Sequence, residues 1–345
     1  MLTKKVYVML NLGLIGAGRI GKIRAACIRQ YVRDTKILAV TDPVTDKNDL
    51  KRWAEDEGIS IIYDDYQQML NDKRIDAVLI CTPLNTHTII AIDAIDAGKH
   101  IFCEKPVDKS IGEIQMIIDK LKGKTLKFQV GFMQRSDHNF RALKKAIIDG
   151  HVGKIHTVKL ISRDPFPPPK SYIESSGGLF LDMMIHDIDL LHFLTDGEVA
   201  EVHAYGACLI DPAFAEFGDV DTAIVTIKMK NGVLATIENS RISASGYDQR
   251  TEVFGDKGVA TIGNDIDNTI CIGTEKGFVS ERPEGFFLER YMNAYIREMK
   301  SFVDSVKKDQ PVIVSVEDGL KNQIVGIALT ISCNEGRPVS VDEVV

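Results

Sequence analysis

The chain lacks several features that would place it quickly. Its six cysteines, Cys27, Cys81, Cys103, Cys208, Cys271 and Cys333, form no CxxC pair, and each stands in an apolar context. This argues against a disulfide or zinc framework and predicts buried free thiols in a reducing compartment. There is no block of lysine and arginine, and 42 basic residues face 49 acidic ones for a net charge of −7. A nucleic-acid or membrane-surface binder needs the opposite balance. Apolar runs such as Ala77–Cys81 and Leu179–Leu181 fall far short of the ~20 residues that cross a bilayer. Lys4 and Lys5 precede a short apolar run that leads into a glycine turn rather than a cleavage site. No signal peptide is read, and a cytoplasmic location is expected. Internal repeats and low-complexity tracts are also absent.

What is present is ordinary globular composition, 44% hydrophobic and 26% charged, over 345 residues. At roughly 100–200 residues per domain this implies two domains. The first third alternates short apolar runs with helix-like segments: strands at Leu10–Ile15, Lys36–Thr41, Ala77–Cys81, His100–Cys103 and Lys127–Val130, and helices at Gly21–Tyr31, Asp46–Glu57, Thr86–Ala97 and Ser110–Leu121. Repeated β-α units predict a doubly wound parallel sheet of the Rossmann type. After Gly131 the strands alternate apolar and polar residues, with Asn231-Gly232 as a hairpin turn. Pro165–Pro169 reads as a stiff loop before a helix that starts near Gly178. The expected fold class is α/β: a cofactor-binding domain over residues 1–130, then an α+β substrate and oligomerisation domain over 131–345. The second domain has a large open, mainly antiparallel sheet, and its C-terminal segment can pack back on the first domain.

Gly16-Ala17-Gly18-Arg19-Ile20-Gly21 is a GxGxxG that follows an apolar strand and opens a helix. Gly16 permits the tight turn, Gly18 the approach of a pyrophosphate, and Gly21 close helix–strand packing. With Arg19 and Ile20, the helix N-terminus offers amide donors to phosphates. Asp42 closes the second strand, 21 positions after Gly21. A carboxylate there accepts ribose hydroxyls and repels a 2′-phosphate, so the cofactor is expected to be NAD. Thr82, Pro83, Asn85 and His87 follow a third strand end. They either contact the cofactor or, for Asn85 and Thr86, cap the next helix.

Glu104-Lys105-Pro106 ends another strand of the same sheet. This places Glu104 and Lys105 at the cofactor crevice, where both are expected to contact the cofactor; Lys105 is either a surface lysine or an ammonium aimed at a substrate hydroxyl, held by Glu104. In Gly177–Asp189, Asp182 and His186 stand at i and i+4 on one predicted helix. A carboxylate beside an imidazole is an acid–base arrangement. A helix-stabilising pair is one alternative, and a metal site with Asp189 another. The metal reading ranks low, because a nicotinamide already supplies the redox chemistry. Asp189 and His192 are assigned to other partners or solvent.

The glycine turn, Glu104-Lys105-Pro106 and the Asp182–His186 pair together resemble the glucose–fructose oxidoreductase and inositol dehydrogenase family over essentially the whole chain. Val130–Asp137, Gly177–Asp189, Phe217–Thr222 and Gly246–Arg250 are similar to its inositol 2-dehydrogenase branch. The resemblance implies NAD-dependent oxidation of a ring secondary alcohol to a ketone, myo-inositol to 2-keto-myo-inositol in the first instance. On that analogy His186 is the base, Asp182 orients it, and Lys105 stabilises the alkoxide. Met133, Gln134 and Tyr247, with Lys105, Asp182 and His186, contact the substrate. Some members have arginine where Gln134 stands and histidine where Ser162 stands, which bears on which polyol is read. The alternatives are a dehydrogenase of another inositol isomer or a sugar, and a non-catalytic NAD-binding regulator. A homo-oligomer, tetramer or dimer, is also implied. Members reach the glycine turn sooner, so either Met9 is the start or residues 1–8 form a short arm.

Overall fold

The computed structural model describes residues 9–344, except for the side chain of Ser175. The question of residues 1–8 lies outside the described residues. The chain divides into two compact units. One comprises residues up to Met133 with Ala294–Leu320, and the other Gln134–Asn293 with Lys321–Val345.

In the first unit, β1 (Leu10–Ile15), β2 (Thr35–Thr41), β3 (Ile61–Ile62), β4 (Ala77–Ile80), β5 (His100–Glu104) and β6 (Phe128–Gly131) form one parallel sheet in the order β3-β2-β1-β4-β5-β6. All four residues of β4 are fully buried, as a strand covered on both faces must be. Each such aliphatic side chain contributes about 1.5–3 kcal/mol by leaving water. The strand order reverses between β1 and β4. Open parallel sheets bind ligands there, beyond the carboxyl ends of the strands.

In the second unit, β7 (Ile155–Arg163), β8 (Val199–Ala207), β9 (Thr222–Met229), β10 (Leu234–Ser240), β11 (Asp248–Gly255), β12 (Val259–Ile262) and β15 (Val339–Ser340) form a seven-stranded sheet in the order β12-β11-β7-β10-β9-β8-β15. Every pair is antiparallel except β7 with β10. Val225, Ile227, Ala235, Ile237, Val158 and Leu160 are buried. The helix Met184–Thr195 packs on β7 and β10, which fixes the position of the histidine segment. A separate hairpin, β13 (Cys271–Thr274) with β14 (Gly277–Ser280), is exposed at every residue.

All six cysteines are free thiols. Burial holds the Cys81 and Cys103 thiols above their usual pKa. Cys271 corrects the expectation of burial. It lies exposed on β13 because its hairpin packs on no core strand.

Candidate active site

The glycine turn is built by close approach. Gly16 has φ of 94°, and a Cβ on it would meet the Cys81 carbonyl oxygen at 2.6 Å. A Cβ on Gly21 would meet the Gly16 carbonyl at 2.0 Å, whereas one on Gly18 would meet nothing within 4 Å. Gly18 caps the helix Arg19–Tyr31 without a side-chain hydrogen bond, so the first-turn amides carry no capping side chain. Open space over a glycine, beside uncapped amides, suits a pyrophosphate. Asp42 follows β2. Its Oδ2 accepts the Ala17 amide at 2.7 Å, and its Oδ1 accepts those of Val44 and Thr45 at 2.9 and 3.0 Å. Partial burial would raise its pKa, but these amides and the Thr45 hydroxyl outweigh it and hold the carboxyl below its ordinary value.

Further expected residues lie at the ends of β4 and β5. Asn85 is exposed in the turn Leu84–Thr86. The capping alternative is not realised: Thr86 directs Oγ1 to the Thr82 hydroxyl and the Pro83 carbonyl, both at 2.7 Å. His87 is 2% exposed, with Nε2 2.9 Å from the Thr82 carbonyl and Nδ1 3.0 Å from the Pro106 carbonyl. It therefore ties two strand-end turns together, with both ring nitrogens facing backbone carbonyls. The Glu104 carboxylate meets Arg24 at 2.7 Å.

Arg24 was not foreseen. It is fully buried in the helix of the glycine turn, bound also by Glu298 and stacked between Phe102 and Tyr295 with its guanidinium carbon 4.6 and 4.5 Å from the ring centroids. Burial favours its neutral form, but the two glutamates outweigh that and raise its pKa. Its one visible signal is a charge three residues after Gly21, between the apolar Ile23 and Ala25. Lys105, one residue past Glu104, is partly exposed. Met133, 6% exposed, opens a short 3₁₀ turn after β6.

In the second unit the expected single helix is broken. Leu179–Asp182 ends at Met183, and Met184–Thr195 begins a new segment, so Asp182 and His186 stand on consecutive helical pieces. Asp182 Oδ1 accepts the Tyr172 hydroxyl at 2.7 Å and Oδ2 accepts Arg241 at 2.9 Å. These partners hold the carboxylate in a buried site, Asp182 being 7% exposed. Tyr172 lies on a helix, Lys170–Ser176, where the sequence suggested only a loop end. Asp189 is bound in bidentate fashion by Arg135 at 2.7 and 2.8 Å and by Asn322 at 2.8 Å. Its carboxylate is thus committed to these cations and amides rather than to a ligand set with His186. His192 contacts Asn322 at 2.9 Å. Tyr247, 8% exposed, packs edge-on against Phe286 and Tyr291.

Gln134 and Ser162 are both buried in one polar chain. Gln134 Nε2 lies 3.1 Å from the Tyr291 hydroxyl and 3.5 Å from Gln249 Oε1. Ser162 Oγ lies 3.2 Å from Gln249 Oε1 and 2.6 Å from Asp187 Oδ1.

A parallel sheet of this order, with a glycine turn at its switch point and a carboxylate just past β2, defines a dinucleotide-binding protein. Residues 10–132 match the NAD-binding Rossmann-fold domain of an oxidoreductase family, and residues 144–341 match the C-terminal α/β domain of the same family. The chain belongs to this family, that of glucose–fructose oxidoreductase and inositol dehydrogenase. It is 40% identical to myo-inositol 2-dehydrogenase of Thermotoga maritima, covering 97% of this chain and 100% of that one. It is 38% identical to inositol 2-dehydrogenase of Rhizobium meliloti, covering 95% and 98%. Among solved structures, scyllo-inositol dehydrogenase of Lactobacillus casei with bound NAD(H) and scyllo-inositol superposes with a TM-score of 0.89 at 31% identity, covering 97% and 99%.

Proposed function

We propose that the protein oxidises one ring secondary alcohol of a cyclic polyol to the ketone, with myo-inositol as the first candidate substrate. The observation that carries this reading is similarity to inositol dehydrogenases along essentially the full chain. NAD, when bound, supplies the two-electron acceptor. Gly16, Gly18, Arg19, Ile20, Gly21, Asp42, Thr82, Pro83 and Asn85 are the residues that would hold it. His186 takes the hydroxyl proton, and Asp182 keeps that region polar and ordered through Tyr172 and Arg241. The Lys105 ammonium offsets negative charge as it develops on the oxygen, leaving the carbon able to release hydrogen with its electron pair. Met133, Gln134 and Tyr247 contact the ring.

The test is a panel of myo-, scyllo- and chiro-inositol with common aldoses, followed by NADH absorbance. Turnover of an inositol well above the aldoses is expected. Preference for an aldose would replace the polyol with a sugar, and no turnover at all would favour a cofactor-binding regulator.

A homo-oligomer in the cytoplasm completes the reading. Tyr205 with Ile224, and Leu234, Phe254 and Val259 further along, stand exposed on one face of the second sheet among polar residues, and a second copy would cover them. Light scattering that gave a monomer would reject this assembly.

A further inference from the structure

Asp187 directly follows the proposed base. It is 2% exposed and makes no ion pair among the described residues. Its Oδ1 receives Ser162 Oγ at 2.6 Å and its Oδ2 receives Asn239 Nδ2 at 2.8 Å. Charged groups on the surrounding elements are engaged elsewhere: Asp182 with Arg241, Asp189 with Arg135, Glu238 with Arg163, and Lys144 with Asp196. Asp164, just past β7, adds negative charge, and His186 precedes Asp187 on its own helix. Burial, reinforced by Asp164 and opposed by the Ser162 and Asn239 hydrogen bonds, pushes the Asp187 carboxyl up to about 6.

Ser162 is the pivot of this chain. A hydroxyl has one proton, yet two acceptors lie within reach, Asp187 Oδ1 at 2.6 Å and Gln249 Oε1 at 3.2 Å. When Asp187 carries a proton it donates to Ser162 Oγ, and Ser162 donates onward to Gln249 Oε1. The Gln249 amide has Oε1 inward, as this state requires, with Tyr291 and Gln134 also directing donors at it. Gln134 Oε1 is then left buried without a partner. When Asp187 is ionised it takes the Ser162 proton. The Ser162 lone pair then faces Gln249 and favours its amide turned with Nε2 inward. Gln249 becomes a donor, and Gln134 must turn Oε1 inward to accept.

We propose that Asp187, acting through Ser162 and Gln249, sets which end of the Gln134 amide is left for a ligand, an acceptor oxygen in one state and a donor nitrogen in the other. Asp187 is thus a positioning residue for hydroxyl recognition. The ligand half of this inference rests on the reading of Gln134 as a substrate contact.

The experiment follows the side-chain amide resonances of Gln134 and Gln249 in full-length protein labelled with ¹⁵N-glutamine, from pH 5 to 8, without NAD or polyol. Gln134→Asn and Gln249→Asn assign the signals. Both amides should titrate together near pH 6, and the titration should vanish in Asp187→Asn. Ser162→Ala breaks the relay but keeps the carboxyl, whose pKa rises further with the loss of the Ser162 hydrogen bond, and should uncouple Gln134 even if Asp187→Asn folds poorly. Amides that do not titrate, or that titrate unchanged in Ser162→Ala, overturn the inference. In the second arm, KM for the polyol should change several-fold across the same pH range in the wild type and stay flat in Asp187→Asn; a KM that moves equally in both overturns the link to recognition. Absence of turnover with titrating amides would instead reject the proposed reaction and support the amide coupling.

Discussion

The Asp42 carboxylate accepts the Ala17 amide at 2.7 Å, so the residue just past β2 also braces the glycine turn after β1. Its negative charge and its hold on the turn are separate contributions. Asp42→Ala should raise KM for NAD by about tenfold, the loss of one charge-assisted hydrogen bond, while improving the relative use of NADP. Initial rates with both dinucleotides read this. An unchanged preference would remove Asp42 from the ribose contact.

Gly18 and Gly21 should fail in different ways. The open space at Gly18 predicts that Gly18→Val folds with a near-normal Tm and binds NADH at least tenfold more weakly. The 2.0 Å approach at Gly21 predicts that Gly21→Ala lowers Tm before binding is measured. Thermal melts beside NADH fluorescence titration separate the two.

Arg24 lies between Glu104 and Glu298 with no access to water. Arg24→Met would leave two carboxylates without their cation, at a cost of roughly 3–5 kcal/mol. Arg24→Lys should recover only part of this, because one ammonium cannot make the forked contacts or the double stacking. Urea midpoints of the three proteins give the comparison.

His186→Ala should keep NADH affinity within about twofold and reduce kcat by ~10²–10⁴, the range for loss of a general base. Retention of most of the turnover would take the proton-accepting role away from this residue.

Asp187 also predicts a stability profile. Its folded pKa of about 6 exceeds the ordinary 3.8. Between those values the folded state holds a proton that the unfolded chain has lost, so this group's contribution falls as pH rises from about 4 to 6 and is constant above. Asp187→Asn should therefore gain on the wild type across that window, by on the order of 2–3 kcal/mol. Denaturation at pH 4.5, 6 and 8 checks the sign.

Elements with strong local signals stood out in the sequence. The parallel strands were short, mostly apolar runs, and the glycine turn and Asn231-Gly232 announced their own geometry. Hidden elements lacked such signals. Ile61–Ile62 is too short to show a period, and β13 and β14 carry no burial pattern because neither is buried. In the candidate site, the strand-end positions of Asp42 and Lys105 followed from topology. The partners of polar side chains did not: nothing local indicates that Glu104 goes to Arg24, 80 positions away, or Asp182 to Arg241, 59 positions away. The break at Met183 was equally invisible, since no Gly or Pro marks it.

The parallel pairing of β7 with β10 has a kinetic consequence. Thr157 meets Leu234 across 77 positions of chain, whereas β9 and β10 are joined by a tight turn. Closing the long loop costs entropy before any ladder bond rewards it. The β9–β10 hairpin closes the shorter loop, and the strand that carries Ser162 can pair with β10 only once the whole intervening segment has been made.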